Sequence, residues 1–215
     1  MIDLHMHSTY SDGSLTPEQL VGQACEIGLS AIALTDHDTT AGLRSFLAAC
    51  GKSGIRGIPG VEISAEVRKG TMHMLGYMIN PAERGLVDLL DEIRRDRESR
   101  NQQIVQKLNA LGLKMEWNDV KKFAGEDVVG RPHFARAMLE KKYVQTKEEA
   151  FEKFLGKGKP AYVERFRLTP EDSIKTIRDA GGVAVLSHPF TLELNSRDLR
   201  NYMAELKEAG LGGIE

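Results

Sequence analysis

Short apolar runs alternate with helical patterns along the first 80 residues. Ile2-Asp3-Leu4-His5-Met6-His7 reads as a strand. Thr16-Pro17-Glu18-Gln19 then opens a helix: the threonine caps, the proline fits the first turn, and Gln19 closes a capping box. Leu20, Val21, Ala24 and Ile27 form its apolar stripe, and Gly28 ends it. Ala31-Ile32-Ala33-Leu34-Thr35 predicts a second strand, followed by a helix over residues 40–50. Gly57-Ile58-Pro59-Gly60-Val61-Glu62-Ile63-Ser64 is a third strand region, and residues 72–78 are a fourth. This alternation implies parallel pairing in an α/β sheet or barrel.

The pattern changes at Pro81. A long helix is predicted over residues 81–111, stopped by Gly112, with a highly charged stretch at 92–100. Shorter helices follow at 118–123, 133–141 and 146–155. A helix begins at Thr169-Pro170-Glu171 and ends at Gly181-Gly182, and the strand pattern returns at Val183-Ala184-Val185-Leu186-Ser187-His188. A last helix spans 197–209, and Gly212-Gly213-Ile214-Glu215 looks like the start of a further strand. Residues 1–80 therefore read as the N-terminal part of a sheet or barrel. Residues 81–180 read as a helical insertion, a lid or substrate domain, and 181–215 as the barrel continued. No repeat of fixed period is present.

Composition narrows the function classes. A formal net charge of −2 argues against a protein that coats DNA through bulk charge, while leaving local nucleotide binding open. No run of about 18 apolar residues occurs, so no transmembrane helix is expected. Met1-Ile2-Asp3-Leu4-His5 has neither the basic nor the apolar region of a signal peptide, which points to a cytoplasmic location. Cys25 and Cys50 sit among apolar and small residues in predicted helices; they read as small buried residues rather than a disulfide or a nucleophile.

Five of the six histidines, His5, His7, His37, His73 and His188, lie within or just beyond a predicted strand. One histidine on a strand is usually structural. Five at strand ends of a parallel α/β fold converge on one crevice, and imidazole with carboxylate is a donor set for a divalent metal. His5 and His7, two apart on a strand, share a face. Asp12 lies in the polar loop behind them, as a ligand or as a turn carboxylate. Glu62 stands inside an apolar strand, where an unpaired carboxylate is costly. A metal or an arginine resolves that cost, and the metal fits the neighbouring residues better.

The motifs His5-Met6-His7-Ser8-x-x-Ser11-Asp12-Gly13, Thr35-Asp36-His37-Asp38, Gly60-Val61-Glu62-Ile63-Ser64, His73 and Ser187-His188-Pro189 follow one another in the order of the PHP (polymerase and histidinol phosphatase) family. The chain resembles that family over nearly its whole length. The resemblance implies a distorted (βα)7 TIM-like barrel with a helical insertion, C-terminally incomplete in this chain. It implies up to three divalent ions, manganese or alternatively zinc, iron or magnesium. His5, His7 and Glu62 would hold one; Glu62 would bridge to a second held by His73 and His188; Asp12 and His37 would hold a third. The family's later Asp-x-His motif does not occur before Glu215. The chain reads either as a fragment of a longer protein or as a degraded relative; the intact upstream motifs favour the fragment, expected to keep the Glu62–His73–His188 ion best and to turn over slowly or not at all.

Gly130-Arg131-Pro132-His133-Phe134-Ala135-Arg136 and Leu155-Gly156-Lys157-Gly158-Lys159-Pro160-Ala161-Tyr162-Val163 resemble the branch acting on nucleoside 3′,5′-bisphosphates and short RNA 5′ ends. The likeness implies that Arg131 and His133 meet substrate phosphate. Arg97 and Arg100 share a helix face at i, i+3, as part of the same cleft or as an ordinary solvated face. Lys157 and Lys159 read as a loop between glycines. The expected activity is metal-dependent hydrolysis of nucleotide phosphate monoesters. In it Glu62 bridges ions, Arg131 offsets phosphoryl charge and His133 protonates the leaving oxygen. Two alternatives stay open within the family, histidinol-phosphate phosphatase and exonuclease. One of another class stays open too: a non-catalytic metal- or nucleotide-binding module. The expected partner is a small nucleotide or short oligonucleotide, with no membrane and no stable DNA complex.

Overall fold

The computed structural model describes residues 1–123 and 129–215. In chain order the first elements are β1 (Ile2–Met6), α1 (Pro17–Ile27), β2 (Ala31–Leu34), α2 (Leu43–Ser53), β3 (Arg56–Ala65), β4 (Met72–Tyr77) and α3 (Arg84–Ala110). Next come α4 (Trp117–Lys121), α5 (Arg131–Glu140), α6 (Lys147–Ala150), which runs on into a π turn at Phe151–Leu155, and α7 (Pro170–Asp179). The chain closes with β5 (Val183–Leu186), a 3-10 turn at Pro189–Leu192, α8 (Ser196–Glu208) and β6 (Gly213–Ile214). Two compact units result: residues 1–91 with 167–215, and residues 92–166.

The first unit is an α/β structure on one sheet of strand order β1-β2-β3-β4-β5-β6, curled as a half-barrel. β1, β2 and β3 are mutually parallel, as are β5 and β6. β4 is antiparallel to both its neighbours, which corrects the all-parallel expectation. The reason is the length of the link: residues 66–71 join β3 to β4, and a parallel crossover needs about a dozen residues or more. Among the described residues the sheet has six strands rather than the seven that the resemblance implies.

Local chemistry explains the elements. Thr16 accepts from the Gln19 backbone N–H, and the Gln19 side chain accepts from the Thr16 N–H, so the capping box forms. Gly28, at φ 79°, ends α1 in the left-handed region that favours glycine. The stripe of α1 is narrower than expected: Pro17, Val21 and Ala24 are buried, whereas Ile27 is 63% exposed. Cys25 is exposed as well, contrary to its reading as a buried residue, while Cys50 is buried. Cys25 lies about 100° around the helix from Ala24, off the line that faces the sheet. Ile32, Ala33, Leu34, Val61, Ile63, Met74 and Leu75 fill the sheet's core with Phe46, Ile174 and Ile177. Each large one contributes about 1.5–3 kcal/mol through burial, which fixes the strand ends from which the site is built.

The second unit has its own apolar core. Ile104 and Leu108 of α3 pack with Met115, Val120, Phe134, Met138, Ala150, Leu155 and Ala161. Asn101, buried on the same helix, donates from Nδ2 to the Val129 carbonyl at 2.9 Å. No helix among the described residues is long and apolar enough to cross a membrane.

Candidate metal centre

The strand ends of the first unit carry a cluster of imidazoles around one carboxylate. His5 lies within β1 and His7 just after it, so their common face turns both toward β3. His37 follows β2 and bridges in parallel to Glu62 of β3. His73 opens β4, and because β4 runs in reverse its first turn of ladder lies beside the end of β3, with His73 opposite Ser64. His188 follows β5, held where the Ser187 N–H donates to the His73 carbonyl at 3.1 Å.

Glu62 is 1% exposed and sits at the centre. Its Oε2 lies 3.2 Å from His5 Nε2, 3.1 Å from His7 Nε2 and 3.1 Å from His37 Nδ1. Its Oε1 lies 2.9 Å from His73 Nδ1 and 3.2 Å from His188 Nε2. Asp12 is more exposed, 3.4 Å from His7 Nδ1 and 3.7 Å from His37 Nε2. Among the described residues, three sets of donor atoms fall within 4.8 Å of one another: His5, His7 and Glu62; His7, Asp12 and His37; His37, Glu62 and His73. His7 and His37 each belong to two sets, so the geometry cuts across a strict division into three separate sites.

The donor set fits a divalent cation. His37 Nδ1 and His73 Nδ1 are buried and make no hydrogen bond, although each is close to a Glu62 oxygen. Their short contacts lack the alignment of a donated N–H. A buried, unbonded ring nitrogen costs about 1–3 kcal/mol, and a cation accepting nitrogen lone pairs beside a carboxylate removes that cost.

The pattern of the PHP domain family matches residues 3–164. The chain belongs to the PHP domain family. A 3′,5′-nucleoside bisphosphate phosphatase of Chromobacterium violaceum is 36% identical over 100% of this chain and 75% of its own length. The 5′-3′ exoribonuclease Rnm of Salmonella typhimurium is 36% identical over 96% of this chain and 71% of its own. A solved structure from Bifidobacterium adolescentis, described as a candidate metal-dependent phosphoesterase, superposes with a TM-score of 0.83 at 29% identity. It covers 100% of this chain and 76% of that one.

In this PHP chain the polar residues between the histidines form a buried support. Asp36 accepts from the Ser8 N–H at 2.7 Å, the Ser8 hydroxyl at 2.6 Å and the Ser11 hydroxyl at 2.6 Å. Ser11 Oγ is in turn 3.3 Å from His7 Nδ1. Asp38 accepts from the Ser64 N–H at 2.9 Å and the Ser64 hydroxyl at 3.2 Å, tying the β2 end to the β3 end. Gly13 closes the loop against β1: a Cβ there would stand 2.1 Å from the His7 carbonyl oxygen. These supports were visible only as parts of the motifs; the alternation of Asp36, His37 and Asp38, which sends the two carboxylates to a different side from the imidazole, is the signal that separates them.

Electrostatics set the PHP histidines apart. Burial alone would raise the Glu62 carboxyl, but the close imidazoles of His5, His7 and His73 and the charge of His37 hold it far below the usual carboxylate range. Burial lowers His5, yet its bonds to Glu62 and Glu215 outweigh this and push it up to about 9. Burial pulls His37 down to about 4, and the neighbouring His73 and His7 oppose the pull of Glu62. In metal-free protein His5 therefore contributes stability that is complete below its ordinary pKa of 6.5 and is lost as the pH rises through about 9. A ligating imidazole is neutral, so an ion held by His5 would displace its proton. Manganese affinity is expected to rise about tenfold per pH unit between pH ~7 and ~9. Calorimetric titrations in buffers of different ionisation heat check this; a pH-independent affinity with no proton release contradicts it.

The other four sequence-predicted residues lie in the second unit. Arg100 is buried and Arg97 half-buried on α3. Arg131, the first residue of α5, donates from Nη1 to the Leu155 carbonyl at 3.2 Å and lies over the Tyr162 ring, 5.2 Å from its centroid. His133 accepts the Gly130 N–H at Nδ1, 2.9 Å away. In its neutral form that bond leaves the proton on Nε2. Arg131 and His133 thus open one helix, each fixed by a backbone group.

Proposed function

We propose that this chain is a metal-dependent phosphoesterase that hydrolyses phosphate monoesters of nucleotides, with nucleoside 3′,5′-bisphosphates and short RNA 5′ ends as its substrates. The observation that carries the reading is Glu62, a buried carboxylate with both oxygens shared among five imidazoles. The names borne by the relatives, a bisphosphate phosphatase and an exoribonuclease, favour the substrate class. His5, His7, Asp12, His37, Glu62, His73 and His188 are the proposed ligands. Up to three ions are proposed, with manganese first among manganese, zinc, iron and magnesium. The nitrogen-rich set suits a borderline first-row ion better than one that prefers only oxygen. Divalent ions held there would offset phosphoryl charge and supply a nucleophile near neutral pH.

The chain's own groups do the rest. Glu62 presents one oxygen to His5, His7 and His37 and the other to His73 and His188, the disposition of a bridging carboxylate. Arg131 offers a planar fork of donors that matches phosphate oxygens, and its stacking on Tyr162 holds that plane. His133 carries an N–H at Nε2 that can hydrogen-bond a phosphoryl or leaving oxygen, and as the imidazolium it is the proposed proton donor to the leaving oxygen. Arg97 and Arg100 are proposed as further phosphate contacts.

The experiment is phosphate release from adenosine 3′,5′-bisphosphate with manganese, beside histidinol phosphate and single-stranded DNA. Release from the bisphosphate alone supports the reading; preference for either of the other two moves the chain to another branch of the family. Binding of the bisphosphate without release favours a non-catalytic module. Arg131→Ala is expected to lower kcat/KM by about 1.5–3 kcal/mol, roughly 10- to 150-fold, the scale of a charged hydrogen bond. An unchanged kcat/KM rejects its phosphate role.

A further inference from the structure

Glu215 stands against the histidine cluster without belonging to any of its candidate ligand sets. β6 pairs in parallel with β5, Val185 opposite Gly213 and Leu186 opposite Ile214, and the Glu215 N–H extends the ladder by donating to the Leu186 carbonyl at 2.9 Å. This register brings the Glu215 side chain to the end of the sheet where the imidazoles lie. Oε1 is 3.0 Å from His5 Nδ1. Oε2 accepts from the Ser187 hydroxyl at 3.0 Å and from the His188 backbone N–H at 2.9 Å.

His5 is thus held between two carboxylates on opposite edges of its ring, Glu215 at Nδ1 and Glu62 at Nε2, 3.2 Å away. An ionised carboxylate accepts only. Both carboxylates could take the ring's single proton, but Glu62 Oε2 is shared with His7 and His37 whereas Glu215 Oε1 meets His5 at the shorter distance, so the neutral ring is expected to keep its proton on Nδ1 and its lone pair on Nε2, on the Glu62 side. The second oxygen of Glu215 braces a strained residue: His188 has φ 30° and ψ 65°, a left-handed conformation uncommon outside glycine, asparagine and aspartate.

We propose that Glu215 is a positioning residue that fixes His5 in its Nδ1–H tautomer and braces the His188 backbone, so that two imidazoles, from β1 and from the end of β5, are oriented for a metal before it binds. The proposal rests on the metal reading above. A carboxylate behind a ligating imidazole fixes the ring's tautomer and orientation, and its removal typically weakens metal affinity or activity about 10- to 100-fold.

Two measurements on the full chain test it. The first is long-range 15N–1H NMR of the histidine rings in metal-free protein, in the alkaline range where His5 is neutral. Wild type and Glu215→Gln, which keeps an acceptor oxygen, are expected to show the proton on Nδ1 of His5; Glu215→Ala is expected to shift it toward Nε2. The same tautomer in wild type and Glu215→Ala overturns the proposal. The second is manganese binding by calorimetry, expected to weaken about 10- to 100-fold in Glu215→Ala and less in Glu215→Gln, with the thermal midpoint tracking whether the fold survives. Unchanged manganese affinity in a folded Glu215→Ala variant also overturns it. If wild type takes up no manganese, the metal reading fails, while the tautomer comparison still decides whether Glu215 orients His5.

Discussion

Glu62→Gln is expected to lose both the ions and the reaction. The substitution preserves volume but replaces a carboxylate whose two oxygens face five imidazoles with a neutral amide that has one oxygen and one NH2. The amide hydrogens point toward ring nitrogens that must stay open for a cation. Charge stabilisation by a metal is worth several kcal/mol, so a fall of ~10³-fold or more in kcat/KM is expected, with loss of bound manganese. The acid side gives a second signature. The Glu62 pKa is depressed by folding, so it contributes stability that is present above the ordinary carboxylate value and is lost as the pH falls through the depressed one. Metal-free Glu62→Gln should lack that part of the acid destabilisation. Glu62→Gln with wild-type manganese content and rate would remove the centre of the account.

Asp36→Ala should have the largest effect on folding. Asp36 is buried, and three donors from one loop, the Ser8 N–H and the hydroxyls of Ser8 and Ser11, end on its carboxylate. Truncation removes the shared acceptor of all three in a buried site, and among the described residues only the Ser11 hydroxyl has another partner at hand, His7 Nδ1. At about 1–3 kcal/mol for each buried group left unmatched, a loss on the order of 3–5 kcal/mol is expected. For a chain of this size that lowers the melting midpoint by on the order of 10 °C. The loop it pins carries Asp12 and contacts His7, so manganese affinity should fall as well. Asp36→Asn keeps an oxygen that can accept two of the three bonds and should lose less. Thermal unfolding with manganese titration checks both; a wild-type midpoint and affinity in Asp36→Ala would contradict the role given to this carboxylate.

The site was more legible in the sequence than the sheet that carries it. His5, His7 and His37 sit at the ends of strands whose apolar runs are plain, and Glu62 is conspicuous between Val61 and Ile63. The reversal of β4 was not legible, because strand periodicity says nothing of direction; only the short 66–71 link signals it. That reversal is what makes His73, at the start of a strand, a neighbour of residues at the ends of others. The exposure of Ile27 and Cys25 escaped for a related reason: hydropathy marks an apolar residue, but the angle between the helix and the sheet decides which of them is covered. Glu215 reads in sequence only as the residue after a strand start. Its contact with His5 spans 210 positions and depends on the pairing of β6 with β5, which no local pattern records.

The most direct test of the central claim is anomalous X-ray scattering from crystals of the chain grown with manganese. The account predicts a peak beside Glu62, within about 2.0–2.3 Å of its carboxylate and of imidazole nitrogens from the histidine cluster. Crystals saturated with manganese that show no peak at Glu62, or show one only at sites away from these histidines, would contradict it.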